Sequence, residues 1–171
     1  MWAMSNQPVA LSTAEEQDLI RELAQHVLKV AAPDELVLFD ETAEEYFADP
    51  EGVLRPHGKD EPVGFGVELV LLTPYILAVV TPVIQLLVDL FGEAIRRDGQ
   101  SSASGFIGRL LGRPAVGSTG SAQQPAALTP DQLGLVRTVA LERARGVGLT
   151  DDKAGLLADA IAGGVAVAGT A

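Results

Sequence analysis

The sequence predicts an all-α protein with an acidic N-terminal helical module, a flexible linker and a C-terminal helical hairpin. Apolar residues recur at spacings of three and four in several separate segments, which is the pattern of amphipathic helices. Several of these segments begin with Ser or Thr before Pro or an acidic residue, as helix N-termini do. Because 47% of the residues are apolar and only 5% are aromatic, the core must consist mainly of Leu, Val, Ile and Ala. The predicted boundaries are 12–98 for the module, 99–128 for the linker and 129–169 for the hairpin.

The N-terminal module is predicted to begin with two helices. Ser12 and Thr13 are each followed three residues later by a glutamate, which gives two overlapping capping boxes before the amphipathic stretch 13–31. Pro33 suits the first position of a second helix over 33–48, and the acidic residues after it favour the helix dipole. Residues 36–39 also fit a short strand, so that alternative stays open.

A long apolar segment, residues 67–95, follows a connector rich in charge, Pro and Gly. Its central part, residues 69–88, carries no formal charge over twenty positions, which is long enough to cross a bilayer as a helix. The thirteen Leu, Ile and Val residues there contribute on the order of −5 kcal/mol to insertion. Pro74, Pro82 and Gln85 offset most of this, because they leave or bring polar groups that lipid cannot satisfy. Insertion is therefore close to balanced.

The same segment also fits water-soluble helices. Thr73-Pro74 and Thr81-Pro82 each have the form of an N-cap followed by a first-turn proline, and the second pair predicts a helix over 82–97. That helix has a polar stripe opposite an apolar face, which a lipid-spanning helix does not need. The stripe favours a soluble amphipathic helix and leaves membrane insertion as the alternative. The polar residues are Gln85, Asp89, Glu93 and Arg97, and the apolar residues are Val83, Ile84, Leu87, Leu90, Phe91, Ala94 and Ile95.

The second half of the chain is predicted to be a linker followed by a hairpin. Gly, Ser, Ala and Gln dominate the linker, which predicts a flexible chain. An amphipathic island, residues 105–113, interrupts it and suits a docking motif, a weak membrane anchor or a helix that packs back on the core. After the linker, Thr129-Pro130 and Thr150-Asp151 begin helices predicted over 130–145 and 151–168.

No residue constellation in the sequence amounts to an active site or a cofactor site. The chain has no cysteine and two histidines. His26 lies one turn after Glu22, a spacing that two metal ligands can use, but we expect an exposed pair. Phosphate-loop, serine-hydrolase and calcium-loop patterns are absent from the sequence. We therefore predict no enzymatic activity, metal, cofactor or small-molecule substrate. A solvated helix face, rather than a cation site, is expected for the acidic cluster Asp40, Glu41, Glu44, Glu45 and Asp49.

Charge and apolar content together indicate a macromolecular partner. The net charge is −11, and eighteen of the 23 acidic residues precede residue 99, which disfavours nucleic acid. The apolar segment exceeds what two helices and a tethered hairpin are expected to cover, so we predict a protein partner, self-association, or contact with a membrane surface or bilayer. The alternative is that the hairpin folds back and covers residues 67–80 within one chain. The predicted interaction residues are Pro74, Tyr75, Ile76, Val79, Phe106, Ile107, Arg109, Leu110, Leu111 and Arg113.

Two functional hypotheses follow. The first is a non-enzymatic helical adaptor or assembly subunit that uses segment 67–95, and the second is a small membrane-inserting or pore-forming bacterial effector that inserts residues 69–88. The stretch GVELVLLTPYILAVVTPVIQLLVDLF, followed by a short linker and an amphipathic tail, is similar to small bacterial accessory proteins encoded beside NTPase or protease modules of conflict systems. The similarity covers about a third of the chain. No signal-peptide pattern begins the sequence, so we predict a cytoplasmic protein that associates with membranes if the apolar segment inserts.

Overall fold

The computed structural model describes residues 12–55, 71–98 and 128–168, together with residues 105, 107, 108 and 111. Every regular element within these residues is a helix, so the predicted all-α class is confirmed. The elements are α1 (Thr13–Ala31), a 3₁₀ helix (Pro33–Leu38), α2 (Phe39–Ala48), α3 (Pro50–Leu54), α4 (Thr73–Asp98), α5 (Pro130–Gly146) and α6 (Asp151–Ala168).

Two reciprocal capping boxes begin α1 and α5. The Ser12 hydroxyl accepts from the Glu15 amide at 3.3 Å, and the Glu15 carboxylate accepts from the Ser12 amide at 3.1 Å. Thr129 and Gln132 make the same exchange at the start of α5, at 3.2 and 2.9 Å. Each box satisfies two amides that have no partner inside the helix. The predicted helices at 13–31 and 130–145 are confirmed, with α5 one residue longer.

The prediction of one helix over 33–48 is wrong in part, and the alternative of a strand at 36–39 is wrong. The chain forms a 3₁₀ helix up to Leu38 and becomes α-helical only at Phe39. The 3₁₀ helix connects α1 to α2 and packs against both of them. Leu36 packs against the core from this segment, and Phe39 is buried as α2 begins.

A single helix, α4, covers the apolar segment from Thr73 onward. The sequence predicted a new helix at Pro82, but Pro82 lies inside α4. Thr81 does not cap a helix, because its hydroxyl donates to the carbonyl oxygen of Leu77, one turn back, at 2.8 Å. The helix therefore starts at Thr73, where the first of the two Thr-Pro pairs lies.

A Schellman turn joins α5 and α6. The amide of Leu149 donates to the Ala144 carbonyl at 3.1 Å, and the amide of Gly148 donates to the Arg145 carbonyl at 3.0 Å. Gly148 has φ 97°, a left-handed conformation in which a side chain is strained. The turn is followed by α6, which packs against α5 and covers the range predicted for the last helix, Asp151–Ala168.

The described helices share one hydrophobic core around α4. This helix packs against α1, α2, α3 and α5, and α6 packs against both α5 and α1. The core is built from Leu, Ile, Val and Ala, and Phe39 and Tyr46 are its buried aromatic side chains in the described residues. Most of the predicted linker lies outside the described residues, so independent folding of the two halves stays a prediction.

Candidate functional site

The first candidate site is α4, the helix that the sequence singled out. Its residues Thr73–Glu93 are long and apolar enough to cross a membrane, with a mean hydropathy of 1.9, and 56% of an 18-residue window within them is buried in this fold. The core helix of a water-soluble protein has the same length and composition. Gln85, Asp89 and Glu93 of the predicted polar stripe are exposed, whereas Arg97 lies beyond the described side chains. Val83, Ile84 and Leu87 of the opposite face are buried, and Leu90 and Phe91 are half-buried.

The proline inside α4 leaves one backbone acceptor without its usual donor. Pro82 has no amide hydrogen, so the carbonyl oxygen of Ala78 cannot receive the helical hydrogen bond from position 82. Arg143 of α5 supplies a donor instead, with its Nε 3.3 Å from that oxygen. Ala78 is fully buried, and an unpaired carbonyl there would be costly. This contact links the hairpin to the middle of the apolar helix.

A carboxylate from a different element caps the start of α4. Glu35 of the 3₁₀ helix accepts from the amides of Leu72 and Thr73 at 2.8 and 2.9 Å, and from the Thr73 hydroxyl at 2.6 Å. The sequence predicted Thr73 as a local cap, but its hydroxyl donates to Glu35. The carboxylate satisfies the free amides and lies at the positive end of the helix dipole. The long side chain of Glu35 thus fixes the entry of α4 against the N-terminal helices.

The predicted interaction residues of α4 are mostly inside the protein. Ile76 and Val79 belong to the hydrophobic core, Pro74 is buried, and Tyr75 is half-buried. The hairpin and the N-terminal helices cover this part of α4, which removes the uncovered surface that motivated the choice of these residues. A partner can reach Ile76 and Val79 only if the helices around α4 separate.

Two described residues of the amphipathic island, Ile107 and Leu111, lie in or against the core. Ile107 is fully buried, and the Leu111 amide donates to the Ile107 carbonyl at 2.9 Å, as in a helical turn. Leu111 borders a shallow groove together with His26 of α1 and Gly164 of α6. Of the alternatives for this island, its described part packs on the core. The other four predicted residues, Phe106, Arg109, Leu110 and Arg113, lie outside the described residues.

An exposed apolar corner lies where α1 passes into the 3₁₀ helix and α2. Val30, Val37 and Leu38 are 76%, 90% and 45% exposed, respectively. Val30 and Val37 keep most of their surface in contact with water, and Leu38 keeps nearly half of its surface exposed, so burial in the fold explains little of their apolar character. The sequence placed Val30 on the apolar face of the first helix and Val37 and Leu38 in a possible strand, and none of the three was predicted to contact a partner. The signal was present, since the spacing that directs Leu36 and Phe39 inward leaves Val37 and Leu38 outside.

An acidic face, Asp40, Glu41, Glu44 and Glu45 of α2, continues from this apolar corner. All four side chains are exposed, and they form two pairs at a spacing of four, which places like charges next to each other on the helix. Across the part of the chain that the structure describes, these four carboxylates make no hydrogen bond or ion pair. Asp49, the fifth residue of the predicted acidic cluster, caps α3 by accepting from the Gly52 amide at 3.0 Å. The four on α2 form a solvated face, as the sequence predicted.

The remaining polar and exposed apolar side chains of the described residues give no further candidate site. Within residues 12–55, 71–98 and 128–168, no group of three or more His, Asp or Glu side chains is placed to hold a metal ion. His26 is exposed on α1 one turn after Glu22. Leu135 and Leu156 are further exposed leucines, on α5 and α6.

Comparison with protein-family models, with curated proteins and with solved structures gives no match for this chain.

Proposed function

We propose that this protein is a non-enzymatic helical adaptor or assembly subunit that binds a macromolecular partner. The observation that carries the proposal is the exposed apolar corner, where Val37 is 90% exposed beside a helix face of unpaired carboxylates. Exposed apolar side chains grouped on one surface are a common mark of an interaction site. The apolar corner offers aliphatic contacts for affinity, and the acidic face offers charge for orientation.

The proposed contact surface differs from the one that the sequence indicated. Segment 67–95 supplies the core in its described part, and opening it would expose side chains such as Ile76, Leu77 and Leu87 to water. Each such side chain costs about 1.5–3 kcal/mol when it loses its burial. The apolar corner needs no rearrangement before a partner binds, and this favours it over α4.

The proposal is tested by comparing the amounts of binding proteins that the unaltered full chain and its variants capture. We expect the Val37→Ser, Leu38→Ser double variant to lose proteins that the unaltered chain retains. The matched control, Leu135→Ser with Leu156→Ser, also removes two exposed apolar side chains, and it should retain them. Equal capture by the two double variants would refute binding through the corner.

A second candidate function is membrane insertion through α4. A specific observation favours it, since residues Thr73–Glu93 have the length and mean hydropathy of a membrane-spanning helix. In this hypothesis, the surrounding helices cover α4 in water and separate from it at a bilayer. Incubation with lipid vesicles followed by a carbonate wash tests it: retention in the washed vesicles supports insertion, and complete removal contradicts it.

A further inference from the structure

We infer that the partner contacts the apolar corner and the acidic face with a cationic amphipathic helix. The inference rests on the proposed function and names the chemistry of the partner that it requires. Val37 and Leu38 anchor the apolar side of this partner helix, and its Lys or Arg residues lie over the carboxylates of α2.

The two parts of the surface form one continuous strip. Val37 and Leu38 end the 3₁₀ helix, and Asp40 and Glu41 lie in the first turn of α2, which follows at once. Glu44 and Glu45 lie one turn further along the same face of α2, so the exposed apolar and acidic side chains adjoin along the chain. The strip from position 37 to position 45 is roughly 12 Å long at helical rise. A partner helix of about two turns has a matching length.

Charge determines the class of occupant. Asp40 and Glu44 form one like-charge pair on α2, and Glu41 and Glu45 form another, and each pair disfavours the free helix. A cationic partner converts this repulsion into attraction and speeds the encounter at low salt. Phosphate backbones and anionic lipid surfaces carry the same sign of charge as this face, so it repels them.

A second copy of the chain does not fit this surface in a symmetric dimer. A two-fold interface brings the same patch of each protomer together. The carboxylates of one α2 would then face those of the other, or lie beside them, and repel each other. A partner with Lys or Arg at helical spacing avoids this repulsion and still covers Val37 and Leu38.

Binding of a designed peptide to the full chain tests the inference. The probe is an 18-residue helical peptide of Leu and Lys with one apolar and one cationic face, labelled for fluorescence anisotropy. A Leu/Glu peptide of the same pattern is its counterpart. We expect the Leu/Lys peptide to bind, the Leu/Glu peptide not to bind, and the affinity to fall as salt is raised.

Two variants and one control locate the binding. Val37→Ser with Leu38→Ser should weaken binding of the Leu/Lys peptide about tenfold or more, because the apolar anchor is lost. Glu44→Gln with Glu45→Gln should weaken it about fivefold, as expected for two exposed ion pairs. Asp131→Asn with Glu142→Gln on α5 changes the net charge by the same amount and should alter the affinity less than twofold.

The outcomes separate this inference from the proposed function. Equal weakening by the α2 and α5 charge variants means diffuse attraction to an acidic protein and overturns the inference. Binding of the Leu/Glu peptide, or self-association that is lost in the Val37→Ser, Leu38→Ser variant, assigns the surface to another occupant and also overturns it. If captured proteins depend on Val37 and Leu38 while the Leu/Lys peptide does not bind, the adaptor function stands and the cationic partner is wrong.

Discussion

A contact from Arg143 explains how α4 accommodates Pro82 in its middle. A proline inside a helix disfavours it by about 3 kcal/mol relative to alanine, partly because one backbone acceptor loses its donor. Here the acceptor is the carbonyl of Ala78, and the Arg143 guanidinium reaches it from α5. The proline therefore leaves a carbonyl oxygen without its helical donor on an apolar helix, and α5 packs against α4 at that oxygen. Neither residue could be assigned this role from the sequence, because they are far apart in the chain.

A double-mutant cycle should reveal this coupling. We expect Arg143→Ala to lower the free energy of unfolding by about 1–2 kcal/mol, because it removes the donor to a buried carbonyl. In a Pro82→Ala background, the new amide at position 82 serves Ala78, so the same substitution should cost less than half as much. Chemical denaturation of the four proteins measures both values. Equal costs in the two backgrounds would mean that Arg143 does not compensate for the proline.

Leu87 and Leu90 test which residues of α4 lie in the core. Leu87 is fully buried and Leu90 is half-buried. We expect Leu87→Ala to lower the free energy of unfolding by about 2–5 kcal/mol, through lost burial and the cavity left behind. Leu90→Ala should cost clearly less. Thermal denaturation without detergent gives both values, and a reversed order would contradict the packing of α4 described here.

At the scale of elements, the sequence predicts helices well where the caps are local. Ser12 with Glu15 and Thr129 with Gln132 carry their capping partners three residues away, so the starts of α1 and α5 are correctly predicted. Thr81-Pro82 has the same local pattern and still lies inside α4. Whether this pair begins a helix or lies inside one depended on a contact with Arg143, which lies far away in the sequence.

The start of α4 shows the same limit. Its cap is Glu35, which accepts three hydrogen bonds from Leu72 and Thr73 across more than thirty residues of sequence. A sequence pattern can identify Thr73-Pro74 as a helix start, but it cannot name a carboxylate on another element. The 3₁₀ helix that carries Glu35 was itself not predicted.

We expect Glu35→Gln to destabilise the protein by about 1–3 kcal/mol. Glutamine has one acceptor oxygen where the carboxylate uses two, and it removes the negative charge at the N-terminus of α4. Asp34→Asn is the matched control, since Asp34 is exposed and has no hydrogen bond or ion pair within the described residues. Urea denaturation compares them. If the control variant were as unstable as Glu35→Gln, the loss of one negative charge, rather than the loss of the cap, would explain the destabilisation.

At the scale of the whole molecule, the hairpin covers part of the apolar helix that the sequence left exposed. The predicted excess of apolar surface assumed a tethered hairpin, but α5 packs on α4 and α6 packs on α1. Long-range packing of this kind has no periodic signal in the sequence. The apolar corner could have been predicted from the sequence. Val37 and Leu38 do not share the spacing that directs the other apolar side chains of their segment into the core.

Paired glycine variants test the docking of α6 on α1. A Cβ atom at Gly164 would lie 3.3 Å from the His26 ring and 3.9 Å from Leu23, whereas one at Gly163 meets nothing within 4 Å. We expect Gly164→Ile to destabilise the fold by about 1–3 kcal/mol through overpacking. Gly163→Ile carries the same β-branched side chain into open space and should change stability by less than about 0.5 kcal/mol. Similar melting temperatures for both variants would argue against this docking.

Site-specific photo-crosslinking in living cells tests the central claim most directly, namely that the protein binds its partner at the apolar corner while α4 stays covered. A photoreactive phenylalanine replaces Val37 at the corner, Tyr75 on α4 or Leu156 on α6, one at a time in the full chain. We expect a discrete protein adduct from position 37, and neither protein nor lipid adducts from positions 75 and 156. Protein or lipid adducts from position 75, with none from position 37, would contradict the account and assign the function to the apolar helix.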